Sequence, residues 1–256
     1  MKDIISLMEK VVIVIIFSLL IFQSNPAVAQ QYNSDSYLSK PLGMATIILT
    51  TGERNSMLMA TFSLLPKMEF TTSAYLYNND EDPLTDDGYS ASLFAKYMFY
   101  ENEAKTGGAA VKLGTGLDPG YLDGDDKNND AFKTFWMNTP ATIPFFNNAL
   151  QWDIMPGASV TLKYGAEETT AWAFTYSTRL AWYPFDPTIS IVGEIYGSEG
   201  DVDAKPEYRA GLRWEPNQNV VIAVTYDDEL GGNNGAGFEI GGMFFTPPFL
   251  CIGGCD

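Results

Sequence analysis

Residues 171–182 read AWAFTYSTRLAW, and this stretch decides the fold. Large apolar side chains, from Trp172 to Trp182, occupy the even positions, and only Thr178 interrupts them. Small or polar side chains, together with Arg179, occupy the odd positions. Because successive side chains of a β-strand point to opposite faces, the pattern predicts a strand with one aromatic face and one polar face. The aromatic face is too large for water and the opposite face too polar for a soluble core, so we expect the aromatic face to contact lipid.

The N-terminus has the features of a secretory signal peptide. Lys2 and Lys10 are followed by an apolar run over residues 11–22, and an A-x-A cleavage pattern ends at Ala29. The apolar run is shorter than the ~20 residues that a membrane-spanning helix needs, so we predict cleavage rather than a retained anchor. The expected division of the chain is a signal peptide over 1–29, a periplasmic segment over 30–43, a barrel over 44–245 and a tail over 246–256.

Composition restricts the classes of function. The chain has 15 Lys and Arg residues against 32 Asp and Glu residues, and 46% of its residues are hydrophobic. The negative charge argues against nucleic acid as a partner, and the hydrophobic content argues against a disordered chain. The sequence contains no histidine, which removes histidine-dependent acid–base catalysis and histidine-ligated metal sites. We therefore expect no enzymatic activity, no cofactor and no metal.

Short alternating segments follow one another along the chain and predict strands. Every second connection is short and usually contains proline, as at Met155-Pro156, whereas most of the intervening connections are longer and acidic. Short turns at one end and long loops at the other are typical of outer-membrane barrels, and such a sheet must close because lipid cannot satisfy backbone polar groups. The expected fold is all-β, a closed antiparallel up-and-down transmembrane barrel of about twelve strands. The predicted strands cover residues 44–51, 57–64, 68–77, 89–100, 106–116, 146–154, 157–164, 170–183, 188–197, 206–215, 219–228 and 236–245.

The chain resembles a known class of protein. The pattern of strands and connections over nearly all of the mature chain resembles Gram-negative outer-membrane β-barrels of about twelve strands. More loosely, the sequences STRLAWYPFDPTISIVGEIYG (177–197) and YRAGLRWEPNQNVVIAVTYDD (208–228) resemble the transporter-like barrel family found among phenol meta-pathway proteins. The resemblance rests on pattern and carries no individual functional residue across. It implies location in the cell outer membrane, with the lipid bilayer as a partner and small solutes as candidate cargo.

The parity of the predicted strands separates inward from outward charges, and the acidic excess falls mostly in the loops. Inward charges either line a water-filled pore and set its selectivity, or pair across a narrow lumen. Both interpretations are open, because barrels of about eight strands are filled by side chains and barrels of about sixteen are open. The predicted pore-lining residues are Glu69, Lys96, Lys112, Asp153, Lys163, Arg179, Glu194, Arg209, Arg213, Asp227 and Glu239.

The longest predicted connection covers residues 117–145. Its first half is acidic, whereas its second half contains Phe132, Phe135 and Trp136 and is too apolar for a solvated loop tip. One hypothesis is that this half folds back to the barrel mouth as a constriction. The alternative is an outer cap packed on neighbouring loops.

Cys251 and Cys255 both fall within the last six residues. Because export exposes them to an oxidising compartment, a disulfide that closes a small loop is the predicted arrangement. A metal site there would need more ligands than the neighbouring Asp256.

Together these features favour an outer-membrane channel or transporter that passes small solutes through a narrow charged lumen. One alternative is a non-conducting structural or surface-binding barrel with acidic outer loops. A soluble exported β-sandwich is a third class, in which the aromatic faces would pack on each other instead of on lipid.

Overall fold

The computed structural model describes residues 34–77, 88–121, 131–164, 169–201, 204–232 and 237–249. The predicted signal peptide and the predicted pairing of Cys251 with Cys255 lie outside these residues. The described part of the chain contains no helix with the length and hydropathy of a membrane span.

Thirteen antiparallel strands make up the described fold, and they belong to one sheet. They are β1 (Ala45–Gly52), β2 (Asn55–Leu65), β3 (Met68–Tyr77), β4 (Gly88–Glu101), β5 (Gly108–Tyr121), β6 (Ala131–Asn138), β7 (Ala141–Phe145), β8 (Leu150–Tyr164), β9 (Thr169–Trp182), β10 (Ile189–Gly200), β11 (Ala204–Asn217), β12 (Val220–Glu229) and β13 (Gly237–Phe245).

The sheet closes into a barrel with twelve strand positions. The first strand pairs with the last, with Ile48 of β1 opposite Met243 of β13. Both β6 and β7 lie between β5 and β8, so these two short strands share one position. Closure pairs the backbone groups of every strand with a neighbour, as a structure surrounded by lipid requires. The predicted all-β fold, a closed antiparallel barrel of twelve strands, is confirmed.

The barrel has a short-turn end and a long-loop end. The short-turn end carries the connections β2–β3, β4–β5, β7–β8, β9–β10 and β11–β12, together with the start of β1 and the end of β13. The long-loop end carries the connections after β3, β5 and β12, which are among the longest in the chain.

One predicted turn is wrong, because β8 runs unbroken from Leu150 to Tyr164 and contains Pro156 in its interior. A proline inside a sheet removes a ladder hydrogen bond unless its nitrogen faces an interruption. Here the neighbouring strand position is interrupted between β6 and β7, at Thr139 and Pro140. The Pro156 carbonyl accepts a hydrogen bond from the Thr139 N–H at 2.9 Å, so the nitrogen of Pro156 faces the same gap.

The predicted long connection over 117–145 is also wrong, because β5 extends to Tyr121 and residues 131–138 and 141–145 form β6 and β7. The tight turn follows β7 instead. Phe146, Asn147 and Asn148 have positive φ values of 50°, 54° and 70°. Asparagine enters this region more readily than most residues, which explains a turn at this pair. The prediction missed the strand position of β6 and β7, and it divided β8 into two strands. These two errors cancel, so the predicted count of twelve agrees with the structure.

The alternation that begins at residue 171 holds throughout β9. Trp172 and Trp182 are 59% and 51% exposed on the outer face, whereas Arg179 is 1% exposed on the inner face. Thr178, the polar residue that interrupts the aromatic face, accepts a hydrogen bond from the indole N–H of Trp152 at 2.7 Å. Lipid cannot accept a hydrogen bond from the indole N–H of Trp152. Thr178 supplies that acceptor, which explains a polar residue on the otherwise apolar face.

Candidate functional site

The inner face of the barrel carries a row of alternating charges across five consecutive strands. The strand register places Asp153 of β8 opposite Arg179 of β9, and Arg179 opposite Glu194 of β10. It continues with Glu194 opposite Arg209 of β11, and Arg209 opposite Asp227 of β12. We call these five residues the major charge row. Directly opposed cross-strand residues are near enough for their side chains to interact, so the order of signs favours pairing.

Ion pairs hold the major charge row together. Arg179 Nη2 lies 2.7 Å from Asp153 Oδ2, and both side chains are 1% exposed. Arg209 contacts two acids, Asp227 through Nε and Glu239 of β13 through Nη2, each at 2.9 Å. A buried charge without a partner costs several kcal/mol, so these contacts keep both arginines ionised inside the wall.

A second group of charges lies across β3, β4 and β5. The register places Glu69 opposite Lys96, and Lys96 opposite Lys112. Lys96 Nζ is 2.7 Å from Glu69 Oε2. We call these three residues the minor charge row. The minor charge row has one acid and two bases, so the strands alone leave it with a net charge of +1.

Residues 34–40 lie inside the lumen and supply the balancing acid. Asp35 is 1% exposed, with Oδ1 3.3 Å from Lys96 Nζ and Oδ2 3.1 Å from Lys112 Nζ. We call residues 34–40 the N-terminal plug. The sequence predicts a periplasmic segment over 30–43, whereas its described part enters the barrel because the inner wall offers partners for its charges.

The plug also reaches the opposite wall. The backbone N–H of Ser34 donates to the Glu194 carboxylate, and the Ser34 hydroxyl donates to Ser177 of β9 at 2.8 Å. Since Asp35 contacts β4 and β5 while Ser34 contacts β9 and β10, the plug crosses the lumen between the two charge rows.

Further contacts hold the plug in the half of the barrel nearer the short-turn end. Tyr37 is 2% exposed and packs with Met98 and Ala110. The backbone N–H of Lys40 donates to Glu69 at 2.7 Å, and Lys40 Nζ lies 3.8 Å from the ring centre of Phe245. Burial lowers the pKa of Lys40 to about 8, against an ordinary value of 10.5.

A separate charged cluster lies at the short-turn end. Arg213 of β11 is 1% exposed, and its Nη2 is 2.8 Å from Glu215 Oε1. The Tyr183 hydroxyl donates to the same Glu215 oxygen at 2.9 Å. Glu215 therefore holds both a base and a phenol at this end of the barrel.

Two cavities bounded by described residues lie in the lumen on the long-loop side of the plug. One cavity of about 210 Å³ is bounded by Phe94, Lys112 and Trp136, among others, and a second of about 350 Å³ also includes Trp136. The two cavities share Trp136, Asn138 and Met155, and we call them together the vestibule. Around the plug, by contrast, a cavity of only about 20 Å³ is found. Among the described residues, the plug thus occupies space in the short-turn half of the barrel.

Most predicted pore-lining residues point inward. Arg209, with its side chain 11% exposed, belongs to the inner wall, and Lys163 lies in β8 with a side chain outside the described residues. The other nine are buried: Glu69, Lys96, Lys112, Asp153, Arg179, Glu194, Arg213, Asp227 and Glu239.

The predicted constriction loop is wrong, because its three aromatic residues belong to β6. Phe132 and Phe135 are 56% and 41% exposed, and only Trp136 faces the lumen. Its ring centre lies 5.3 Å from that of Phe94, and Lys112 Nζ lies 4.5 Å from the Phe94 ring centre. The sequence analysis missed Phe94, although its spacing of two from Lys96 puts both on one face. It also missed Asp35, for which no local pattern gives a signal.

The sequence matches no family model and no curated protein. Among solved structures, an outer-membrane channel from Pseudomonas putida F1 superposes with a TM-score of 0.56 at 13% identity, over 84% of this chain and 99% of that chain. The protein has the fold of a twelve-stranded outer-membrane barrel. The KdgM porin superposes with a TM-score of 0.52 at 9% identity, over 78% of this chain and 98% of that one. A second structure, of the KdgM porin with disordered oligogalacturonate, gives 0.53.

Identities this low show the fold alone. The broad apolar outer surface of the barrel fits contact with a bilayer, and the support for an outer-membrane location is fold similarity only.

Proposed function

We propose that the protein is a channel for small solutes, and that the N-terminal plug closes its lumen in the conformation described. The observation that carries this proposal is the distribution of free space. The vestibule holds cavities of about 210 and 350 Å³, whereas about 20 Å³ remains around Asp35, Lys40 and Glu69. The obstruction is thus a short terminal segment and not a strand of the barrel.

The contacts of the plug support its release. Apart from the packing of Tyr37 and Leu38 and the contact of Lys40 with the Phe245 ring, the described contacts of the plug with the wall are hydrogen bonds and ion pairs. Water can replace such contacts once the segment leaves, which is not true of a hydrophobic core. Gly43, between the plug and β1, has a φ of 83°, which glycine adopts without strain and which allows the chain to bend there.

Withdrawal of the plug would expose a lumen lined by both charge rows. The major charge row has three acids and two bases, so the exposed wall would be mixed in sign. A mixed wall favours small polar or charged solutes over large apolar ones. The fold of two solved barrels whose names describe them as a channel and a porin agrees with this proposal. The absence of histidine from the chain supports transport over catalysis.

Deletion of residues 34–40 tests the proposal. We expect the deletion variant to show larger and longer-lived single-channel openings than the full chain in planar bilayers, and faster swelling of liposomes in arabinose. A variant with a Gly/Ser linker of equal length in place of 34–40 separates loss of contacts from loss of length. Conductance and swelling equal to those of the full chain in both variants would overturn the proposal.

A non-conducting barrel is the second candidate, and the filled short-turn half is the observation that favours it. In that case the paired charge rows brace the wall, and the acidic loops at the long-loop end provide the binding surface. The deletion experiment separates the two, because a bracing role predicts no gain of conductance when the plug is removed.

A further inference from the structure

We infer that Asp35 occupies the carboxylate position of a solute-binding site built by Lys112, Phe94 and Trp136. The ligand of this site is a small organic carboxylate with a flat apolar body. The inference rests on the proposed function, because it assumes that the plug can leave the lumen. It adds the chemical class of the solute and the contact through which the solute displaces the plug.

Charge balance is the first argument. Glu69 pairs with Lys96 at 2.7 Å, so this base keeps a partner after Asp35 leaves. Lys112, in contrast, has its described ion pair with Asp35 at 3.1 Å. Withdrawal of the plug therefore leaves the minor charge row with two bases and one acid. A solute carboxylate restores the balance at Lys112, because it is the same chemical group as the side chain that it replaces.

The position of Lys112 is the second argument. Lys112 borders the 210 Å³ cavity of the vestibule, while Asp35 reaches it from the plug side. The other base of this cavity, Arg209, is already engaged by Asp227 and Glu239 at 2.9 Å each. A carboxylate that enters from the long-loop end can therefore pair with Lys112, because the partner of Lys112 belongs to the plug and can leave.

The surroundings of Lys112 define the rest of the ligand. The rings of Phe94 and Trp136 are 5.3 Å apart and border the same cavity. Met57 and Met155 also line it, whereas Asn55, Asn138 and Glu239 give other parts of its wall a polar surface, so the apolar part of the wall is the part around Phe94 and Trp136. A flat apolar group packs well on such rings, since aromatic pairs add stability beyond the area that they bury. A cavity of this size, below the ~300 Å³ typical of drug-sized ligands, fits a molecule of about one ring.

Solute and plug then compete for one ammonium group. A ligand shifts a conformational equilibrium only through its different affinity for the two states. In the closed state Lys112 forms an ion pair with Asp35. In the plug-released state the Lys112 ammonium group is available to a solute. Binding of a carboxylate solute therefore favours the released plug, which couples the presence of the solute to opening of its path.

Titration of the detergent-solubilised full chain with benzoate tests the inference, with heat as the readout. We expect weak binding to the wild type and tighter binding to Asp35→Asn, on the order of tenfold, because removing the internal competitor raises the fraction of binding-competent protein. Lys112→Gln should lose benzoate binding. Lys205→Gln is the matched control, since Lys205 also borders the vestibule but is 70% exposed and paired with Glu229, and it should bind like the wild type.

Two further probes separate charge from shape. Benzamide, the neutral analogue of benzoate, should not bind, and acetate, which lacks the ring, should bind Asp35→Asn more weakly than benzoate does. Circular dichroism and heat-dependent gel mobility of each variant establish that the barrel is folded. Equal benzoate affinity in the wild type and Asp35→Asn, or unchanged affinity in folded Lys112→Gln, would overturn the inference.

The failure of this inference is distinguishable from the failure of the proposed channel. If the deletion variant conducts but no variant binds benzoate, the channel proposal stands and the carboxylate site is wrong. If benzoate binds as expected but the deletion variant does not conduct, the site stands as a binding site of a closed barrel.

Discussion

Asp35 Oδ2 lies 3.1 Å from Lys112 Nζ, and this ion pair ties the N-terminal plug to the wall of the barrel. The same carboxylate reaches Lys96 Nζ at 3.3 Å through its other oxygen. One acid on a terminal segment therefore balances two bases on adjacent strands. Without Asp35, Glu69 would be the one acid of the minor charge row for two buried lysines, and it pairs with Lys96.

The pair between Arg179 and Asp153 is expected to stabilise the barrel only while both partners are present. Asp153→Asn should lower the free energy of unfolding by about 3–5 kcal/mol, because it removes the carboxylate that pairs with the buried Arg179 guanidinium at 2.7 Å. The double variant Asp153→Leu/Arg179→Met should recover most of this loss, since apolar residues can replace a buried pair. Chemical unfolding in detergent, followed by tryptophan fluorescence, gives the comparison. A single variant as stable as the wild type would contradict the importance of the pair.

Neighbouring aromatic residues of β6 should differ in their effect on conduction. Trp136 faces the vestibule, whereas Phe135 is 41% exposed on the outer face. In a background that lacks residues 34–40, Trp136→Ala should raise single-channel conductance because it widens the vestibule. Phe135→Ala should leave conductance unchanged. Equal conductance in the two variants would show that Trp136 does not limit the passage.

Closure by the plug should become tighter at alkaline pH through Lys40. Burial lowers the pKa of Lys40 in the docked plug to about 8, although Glu69 and Glu215 oppose the shift and Lys96 adds to it. A released plug would have the ordinary value of 10.5. Because the docked state binds its proton less tightly, docking gains stability as the pH rises from about 8 towards 10.5.

Single-channel recordings across this range check the sign. The open fraction of the wild type should fall as the pH rises, and Lys40→Met should remove that fall. An open fraction that rises with pH in the wild type, or the same fall in Lys40→Met, would contradict the assignment.

The turn after β7 should accept glycine at Asn148 but not a β-branched residue. Asn148 has a φ of 70°, where valine is strained and glycine is not. Asn148→Val should destabilise the barrel by about 1–3 kcal/mol, and Asn148→Gly should change stability far less. Unfolding midpoints of the two variants make the comparison, and equal midpoints would exclude strain at this position.

Much of the barrel was predictable because period-2 alternation is a local property. The separation of Trp172 and Trp182 from Arg179 follows from the geometry of one strand, and it needs no knowledge of neighbouring strands. The turn predicted at Pro156 was wrong because the local sequence was misleading. Proline usually marks a turn, and its tolerance inside β8 depends on the interruption at Pro140, which lies in a different strand.

The candidate site was predictable only in part. The inward direction of Lys96, Lys112 and Glu69 follows from strand parity, but their partners do not. Asp35 pairs with Lys96 across 61 residues of sequence, and no periodic pattern links the two. The sequence predicts Trp136 in a constriction loop because it is apolar within an apparent connection. It faces the lumen for a different reason, which is its position on the inward face of strand β6.

The sequence by itself determined which side chains meet lipid and which point inward, because alternation along an extended backbone assigns faces without reference to the rest of the chain. It also determined that the sheet closes, because exposed backbone polar groups are not tolerated in lipid. Only the tertiary structure decided which inward charges pair and that residues 34–40 lie in the lumen. Those outcomes depend on strand register and on a terminal segment that finds its partners across the barrel, and both are set by contacts between residues distant in sequence.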